Sequence, residues 1–330
     1  MAELSGGDSY LILDDLYHVK QADQVRVLDY FHRLAKGNNL WLKIGTIRHR
    51  TKWYVHGDPP IGVKIGDDAD EIDLDLTLER FSQAKRFLAQ ILRAFLDECG
   101  GISIDELLVD DAMTRLVLAS GGVARDFLGI FRRSIDIARE RGEDRRGDKV
   151  GVEDVNGAAG EYDLSKREEL KRDTLDERTN LEEALERIRN FCLNKINSNI
   201  FLLEKDTPGA SEIDELVDLR LLHKVKSHVT AWGRQGKLYE AYMLDISQYT
   251  GSRSKRNLAW IEFWKQSGNG GESESEGSVT TQRTRHDDIR RASLIYIPLM
   301  DYSSTAEGGN ASRKQPKPKP GFEQGTLLDG

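Results

Sequence analysis

"SYLILDDLYHV", residues 9–19, runs four mostly apolar residues straight into two adjacent carboxylates. Tyr10 to Leu13 reads as a buried strand, with Asp14 and Asp15 at its C-terminal end. In a parallel sheet, a carboxylate at that end points into the crevice where nucleotides bind. Mg²⁺ takes carboxylate, phosphate and water oxygens, and a neighbouring acid can polarise an attacking water. Asp is also favoured as the N-cap of a helix, so the dipeptide alone leaves both readings open.

The flanking sequence supports a sheet. Ala22 to Lys36 places Val25, Leu28, Phe31, Leu34 and Ala35 at helical spacing, and Gly37 with Asn38 and Asn39 ends it. Leu40 to Thr46, "LWLKIGT", is a second strand. A strand, a helix and a strand in that order form a β-α-β unit of a parallel sheet. "HGDPPIG" is a turn, and Val63 to Ile65 and Glu71 to Leu76 read as short strands.

From Leu78 the chain turns helical, with a stripe of Phe81, Ala84, Phe87, Leu88, Ile91, Leu92 and Phe95 stopped by Gly100 and Gly101. Two more helices are expected, near 104–118 and 123–141, and then a polar linker, "RERGEDRRGDK". Further helices follow, then a strand "NIFLLE", a helix "EIDELVDLRLLHKV" and two strands around "HVTAWGRQGKLYEAYMLDIS". A helix followed by a two-stranded wing is a winged-helix pattern. After Lys265 the runs "SGNGGESESEGS" and "SRKQPKPKPG" predict disorder, with one apolar island, "RRASLIYIPLMDY". The expected architecture is α/β followed by mostly α: a partial α/β core (1–97), a helical lid (98–147), a winged-helix-like domain (148–265) and a largely disordered tail (266–330).

Bulk properties narrow the class. The chain has 330 residues, 38% hydrophobic and 32% charged, with a net charge of −8 from 48 basic and 56 acidic residues. That balance argues against wholesale nucleic-acid binding but allows a local basic patch. No window approaches the ~20 apolar residues of a membrane span, and no signal peptide is visible. Cys99 and Cys192 form no C-x-x-C pair. The expectation is reduced, buried thiols, a cytoplasmic location and no structural zinc.

Three motifs occur in a telling order: "YLILDDLYHV", "KIGTIRHR" (43–50) and "GGVARDFL" (121–128). The chain resembles the C-terminal part of an AAA+ ATPase of the origin-recognition and replication-initiator-like branch, over residues 9–265. The resemblance implies a Walker B element in which Asp14 and Asp15 hold Mg²⁺ and Asp15 also activates water. It implies Thr46 as sensor 1 and Arg125 as the sensor 2 arginine that reaches the γ-phosphate. Arg48 and Arg50 stand where an arginine finger would act on a neighbouring subunit. ATP and Mg²⁺ are the implied ligands. Taken residue by residue, solvated loop arginines and a surface Arg125 paired with an acid remain open.

The departure is the Walker A motif, G-x-x-x-x-G-K-[ST]. "GDPPIGVK" has Gly57 and Gly62 but Val63 in place of Lys, and "GRQGKL" carries Gly236-Lys237 at the wrong spacing. The acids stand so early that the chain is expected to begin inside such a domain, as a truncated gene, a late start or a split protein would produce. Its partner would be the missing N-terminal half or another subunit. The implied function is a nucleotide-dependent switch, inactive alone. The alternative is a non-enzymatic interaction or DNA-binding module derived from the fold. The helix "EIDELVDLRLLHKV" carries four acids before Arg220, which favours a protein partner over DNA. Arg234 and Lys237 sit at the wing, Arg253, Lys255 and Arg256 follow it, and Trp232 and Tyr239 are expected to be packing residues.

Overall fold

The computed structural model describes residues 7–141, 149–172, 175–207, 210–234, 236–250, 258–265 and 285–296. The run "RERGEDRRGDK" for the most part, Arg253, Lys255, Arg256 and most of the expected tail lie outside these residues. The fold is mixed α/β, rich in helix, with small sheets. Among the described residues no helix is long and apolar enough to cross a membrane.

β1 (Ser9–Leu13) and β2 (Leu40–Ile44) pair in parallel, Tyr10 opposite Trp41 and Ile12 opposite Lys43. They are joined by α1 (Gln21–Ala35), the crossover that a parallel pair requires. α1 buries Val25 and Leu28, and Gly37 leaves the helix at φ +78°. Gln24, almost fully buried, ties α1 to the loop after β2. Its amide nitrogen donates to Val19 O (2.9 Å) and Arg50 O (3.1 Å), and its oxygen accepts from Lys52 N (2.8 Å). Such bonds contribute about 1 kcal/mol each.

A hairpin of β3 (Tyr54–Val55) and β4 (Ile61–Gly62) follows. The sequence places strands at 63–65 and 71–76 instead. Ile65 makes only an isolated bridge to Ala69, and residues 71–76 run extended outside any described sheet, with Ile72 and Leu74 exposed. Alternation gave them the pattern of a strand, but among the described residues no neighbouring strand supplies the ladder.

α2 (Phe81–Glu98), α3 (Ile104–Leu107), α4 (Asp110–Ser120) and α5 (Ala124–Arg141) come next. α3 begins with a capping box in which Ser103 and Glu106 satisfy each other's backbone N–H. Cys99, at the end of α2, is exposed, against the expectation of burial; Cys192 is buried, which pushes its thiol pKa up. α6 (Val152–Arg172) and α7 (Leu175–Asn190) lead into β5 (Ile200–Glu204). α8 (Ser211–Asp218), β6 (Leu222–Val229), β7 (Tyr239–Leu244), α9 (Arg285–Arg290) and β8 (Ser293–Ile295) follow among the described residues.

The second sheet has the order β6-β7-β5-β8, with β8 parallel to β5. Part of the apolar island after Lys265, expected in a disordered tail, is therefore an edge strand. The helix expected over 212–225 stops at Asp218. Arg220 N–H donates to Val217 O and Leu221 N–H to Leu216 O (both 2.9 Å), with Arg220 at φ +60°. This is a Schellman stop with arginine where glycine is usual, so "LLHKV" is released into β6.

One contiguous core runs from Leu78 to Ile295 and takes in the buried faces of α2, α4 and α5 and all of Ile200 to Leu203. A separate small core of Leu16, Leu28 and Val63 serves the β1–β2 unit.

Candidate functional site

β1 and β2 end side by side. Gly45 N–H donates to Leu13 O (2.8 Å) and Leu16 N–H donates to Gly45 O (3.2 Å). Asp14 and Asp15 are exposed at that end. Asp15 holds a left-handed backbone, φ 52° and ψ 40°, a region that short polar residues visit because they bond locally. Its N–H donates to Asp14 Oδ1 (3.0 Å). A Cβ on Gly45 would lie 2.6 Å from that oxygen, so the Asp14 carboxylate fills the room the glycine leaves.

Thr46 follows Gly45 at the tip of β2. Thr51 Oγ1 donates to Ile47 O (2.7 Å), so the bond between the two threonine hydroxyls is donated by Thr46. Thr46 is left with lone pairs to offer. Arg48 donates through Nε to Glu71 Oε1 (2.8 Å) and lies 3.6 Å from Asp73, which fastens the extended 71–76 segment to the β2 loop. Arg50 sits elsewhere, in the electrostatic field of both Tyr17 and Asp218.

Arg125 arrives from the start of α5. The turn before it is built on Gly121 and Gly122, both at positive φ. A Cβ on Gly121 would meet the His223 ring at 2.3 Å, and one on Gly122 would meet Leu76 O at 1.9 Å. The glycine pair is thus where the extended segment, the α4–α5 turn and β6 converge. Arg125 is exposed, while Asp126, beside it, is buried. The focus is Tyr17. Burial raises its hydroxyl pKa, as do the charge of Asp15 and a hydrogen bond to it, while Arg50 and Arg125 pull it down.

A buried polar network lies behind Arg125. Arg220 Nη1 donates to Asp126 Oδ1 (2.9 Å), and Lys166 Nζ donates to Arg220 O and to Asp245 Oδ2 (3.0 Å each). His223 Nε2 lies 2.6 Å from the same Asp245 oxygen. Burial works against ionisation of Asp245, but Lys166 and His223 hold its carboxyl well below the usual range. Burial pushes the Asp126 carboxyl up, against Arg220 and Lys166. The Arg220 guanidinium grips the neighbour of Arg125. A non-glycine residue held in the left-handed region costs of order 1–3 kcal/mol and persists where surrounding contacts over-determine it, and here they come from α5 and α6.

α8 faces the Arg48–Arg50 turn. His49 Nδ1 is 3.8 Å from Asp214. Burial pushes the Asp218 carboxyl up to about 7, against Arg50 and with help from Asp214.

Tyr17 and the Asp126–Arg220 pair were missed from sequence. Asp126 shares one helical face with Ile130 and Ser134, both buried. An acid on an apolar stripe was the available signal. Tyr17 had none beyond lying two residues after Asp15.

Mg²⁺ keeps several waters and takes one or two carboxylates with phosphate oxygens. Asp14 and Asp15 fit that part, and Arg50 and Arg125 fit the terminal phosphate charge. Among the described residues no glycine-rich loop forms a cradle of N–H groups for the inner phosphates, and no group of three His, Cys, Asp or Glu is placed to cage a metal. No family model, curated protein or solved structure matches the chain.

Proposed function

We propose that this chain is a nucleotide-responsive switch module of the initiator-like AAA+ type, reading the terminal-phosphate end of a Mg²⁺–nucleotide. The observation that carries the reading is that Asp14 and Asp15 end β1 beside Gly45 and Thr46 at the end of β2, with the Asp14 carboxylate in the room that Gly45 leaves. Asp14 and Asp15 would hold the hydrated metal, and Thr46 would accept from a water beside the phosphate. Arg125 would meet the terminal phosphate, and Arg50 would balance its charge. Bound Mg²⁺ would supply charge neutralisation on the phosphate oxygens. The inner-phosphate cradle would come from another polypeptide segment or subunit, so this chain alone would bind weakly and hydrolyse nothing. The winged-helix reading of β6–β7 with α8 belongs to the same proposal, with the acidic α8 docking a protein.

The test is a titration of the chain with Mg·ATP, read by amide chemical shifts. Shifts are expected at Asp14 to Tyr17, Gly45 to Arg50 and Arg125, with a dissociation constant near or above ~1 mM, a standard binding free energy of about −4 kcal/mol. Asp15→Asn and Arg125→Ala should each weaken it several-fold, while Arg48→Ala should spare it, since Arg48 is engaged with Glu71. No shifts at about 10 mM nucleotide, or shifts elsewhere only, overturn the proposal.

A further inference from the structure

We propose that the β6–β7 turn together with β8 is a binding platform for single-stranded nucleic acid. This inference does not rest on the nucleotide-switch reading.

Trp232, expected to be a packing residue, is 61% exposed, and Tyr296 is 53% exposed, whereas Tyr239 is buried as expected. Three arginines crowd the two exposed rings. Arg291 lies 5.0 Å and Arg290 5.9 Å from the Trp232 ring centre, and Arg234 lies 6.0 Å from that of Tyr296. Arg234 Nη1 also donates to Tyr296 Oη (2.8 Å). The backbone is fixed beneath them: Trp232 N–H donates to Arg290 O (2.7 Å), and Arg290 Nε donates to Thr230 O (3.0 Å). Two adjoining open depressions, about 290 and 350 Å³, share Arg234, Leu294 and Tyr296. Lys237, further along the turn, is ion-paired with Glu204 at 2.8 Å.

Cations interleaved with exposed aromatic faces are what an unpaired strand requires. Phosphates meet the arginines and bases stack on the rings, without sequence preference. A duplex hides its base faces and would call on an inserted helix. α8 is ill suited to that role: it is acidic, buries Ile213 and Leu216, and turns Asp214 toward His49. The patch is local in a chain of net charge −8. Half of it comes from residues 290–296, which lie beyond the helix-and-wing unit.

The experiment uses the whole chain and a fluorescent oligothymidylate of about 15 nucleotides, within the site sizes of such surfaces, read by anisotropy at several salt concentrations. Binding tighter than about 10⁻⁴ M at low salt is expected. Trp232→Ala and Tyr296→Ala should each weaken it about tenfold, Trp232→Phe less than about threefold, and Arg291→Ala should flatten the salt dependence. These side chains are exposed, and Trp232→Phe guards against a folding defect in the alanine variant. Three results overturn the proposal: no binding below about 10⁻⁴ M, equal binding by Trp232→Ala, or displacement by polyglutamate or a blunt duplex as effective as by unlabelled oligothymidylate.

Discussion

The β1–β2 unit and the β6-β7-β5-β8 sheet bury their strands in opposite ways. In β5 the residues Ile200 to Leu203 are all buried in the larger core. In β1–β2, among the described residues, α1 covers one face, and on the other Ile12 (70%) and Trp41 (55%) are exposed. Parallel sheets are ordinarily covered on both faces. The β1–β2 unit has its own small core and meets the rest of the chain at contacts such as His49 with Asp214. The acids of the candidate site sit on the β1–β2 unit and Arg125 on α5, which packs into the larger core, so anything bridging them reports their relative placement.

The largest expected effect lies within the larger core. Asp245→Ala would strand Lys166 in the interior and should cost about 3–5 kcal/mol, measured by urea unfolding. A loss under about 1 kcal/mol would mean that the network does not anchor β6 and β7 to α6.

A smaller effect lies at the seam. Asp218 has a folded-state pKa of about 7, above its unfolded value of ~4. The folded chain therefore holds a proton there that the unfolded chain loses. Its stability contribution is complete below pH ~4 and is lost as pH rises through about 7. Asp218→Asn should flatten that fall and stabilise the chain at pH 8 by about 1 kcal/mol after solvent screening. An unchanged pH profile would place Asp218 in water and loosen the seam.

The smallest effect sharpens the contrast from the other side. Trp41→Ser should change stability by less than about 0.5 kcal/mol, as for other exposed positions. A cost above about 1 kcal/mol would show that the outer face of β1–β2 is packed in solution.

The β-α-β unit was readable because apolar runs bracket a helical stripe and end in polar residues. The segment 71–76 misled because alternation records which side chains share a face, not whether a neighbouring strand exists. The end of α8 was invisible because the residue in the left-handed position is Arg220, which carries no glycine signal. Trp232 was read as packing because ring size alone says nothing of which way a turn faces. Asp15, Thr46 and Arg125 could be singled out from order along the chain. Tyr17 and Arg220 depend on tertiary placement, the latter through contacts 94 and 54 residues away.

The proposed switch requires that phosphate charge met at Arg125 be passed to the β6–β7 region, for which the Asp126–Arg220 ion pair beside it is the available link. Hydrogen exchange of the full chain with and without about 10 mM Mg·ATP, well above a millimolar dissociation constant, tests it most directly. The account predicts slower exchange at residues 14–17, 45–50 and 124–127 together with a change at 219–223. In Arg220→Ala the first three changes should remain and the fourth should vanish. Unaltered exchange at 14–17 and 124–127, or a change at 219–223 that survives in Arg220→Ala, would contradict it.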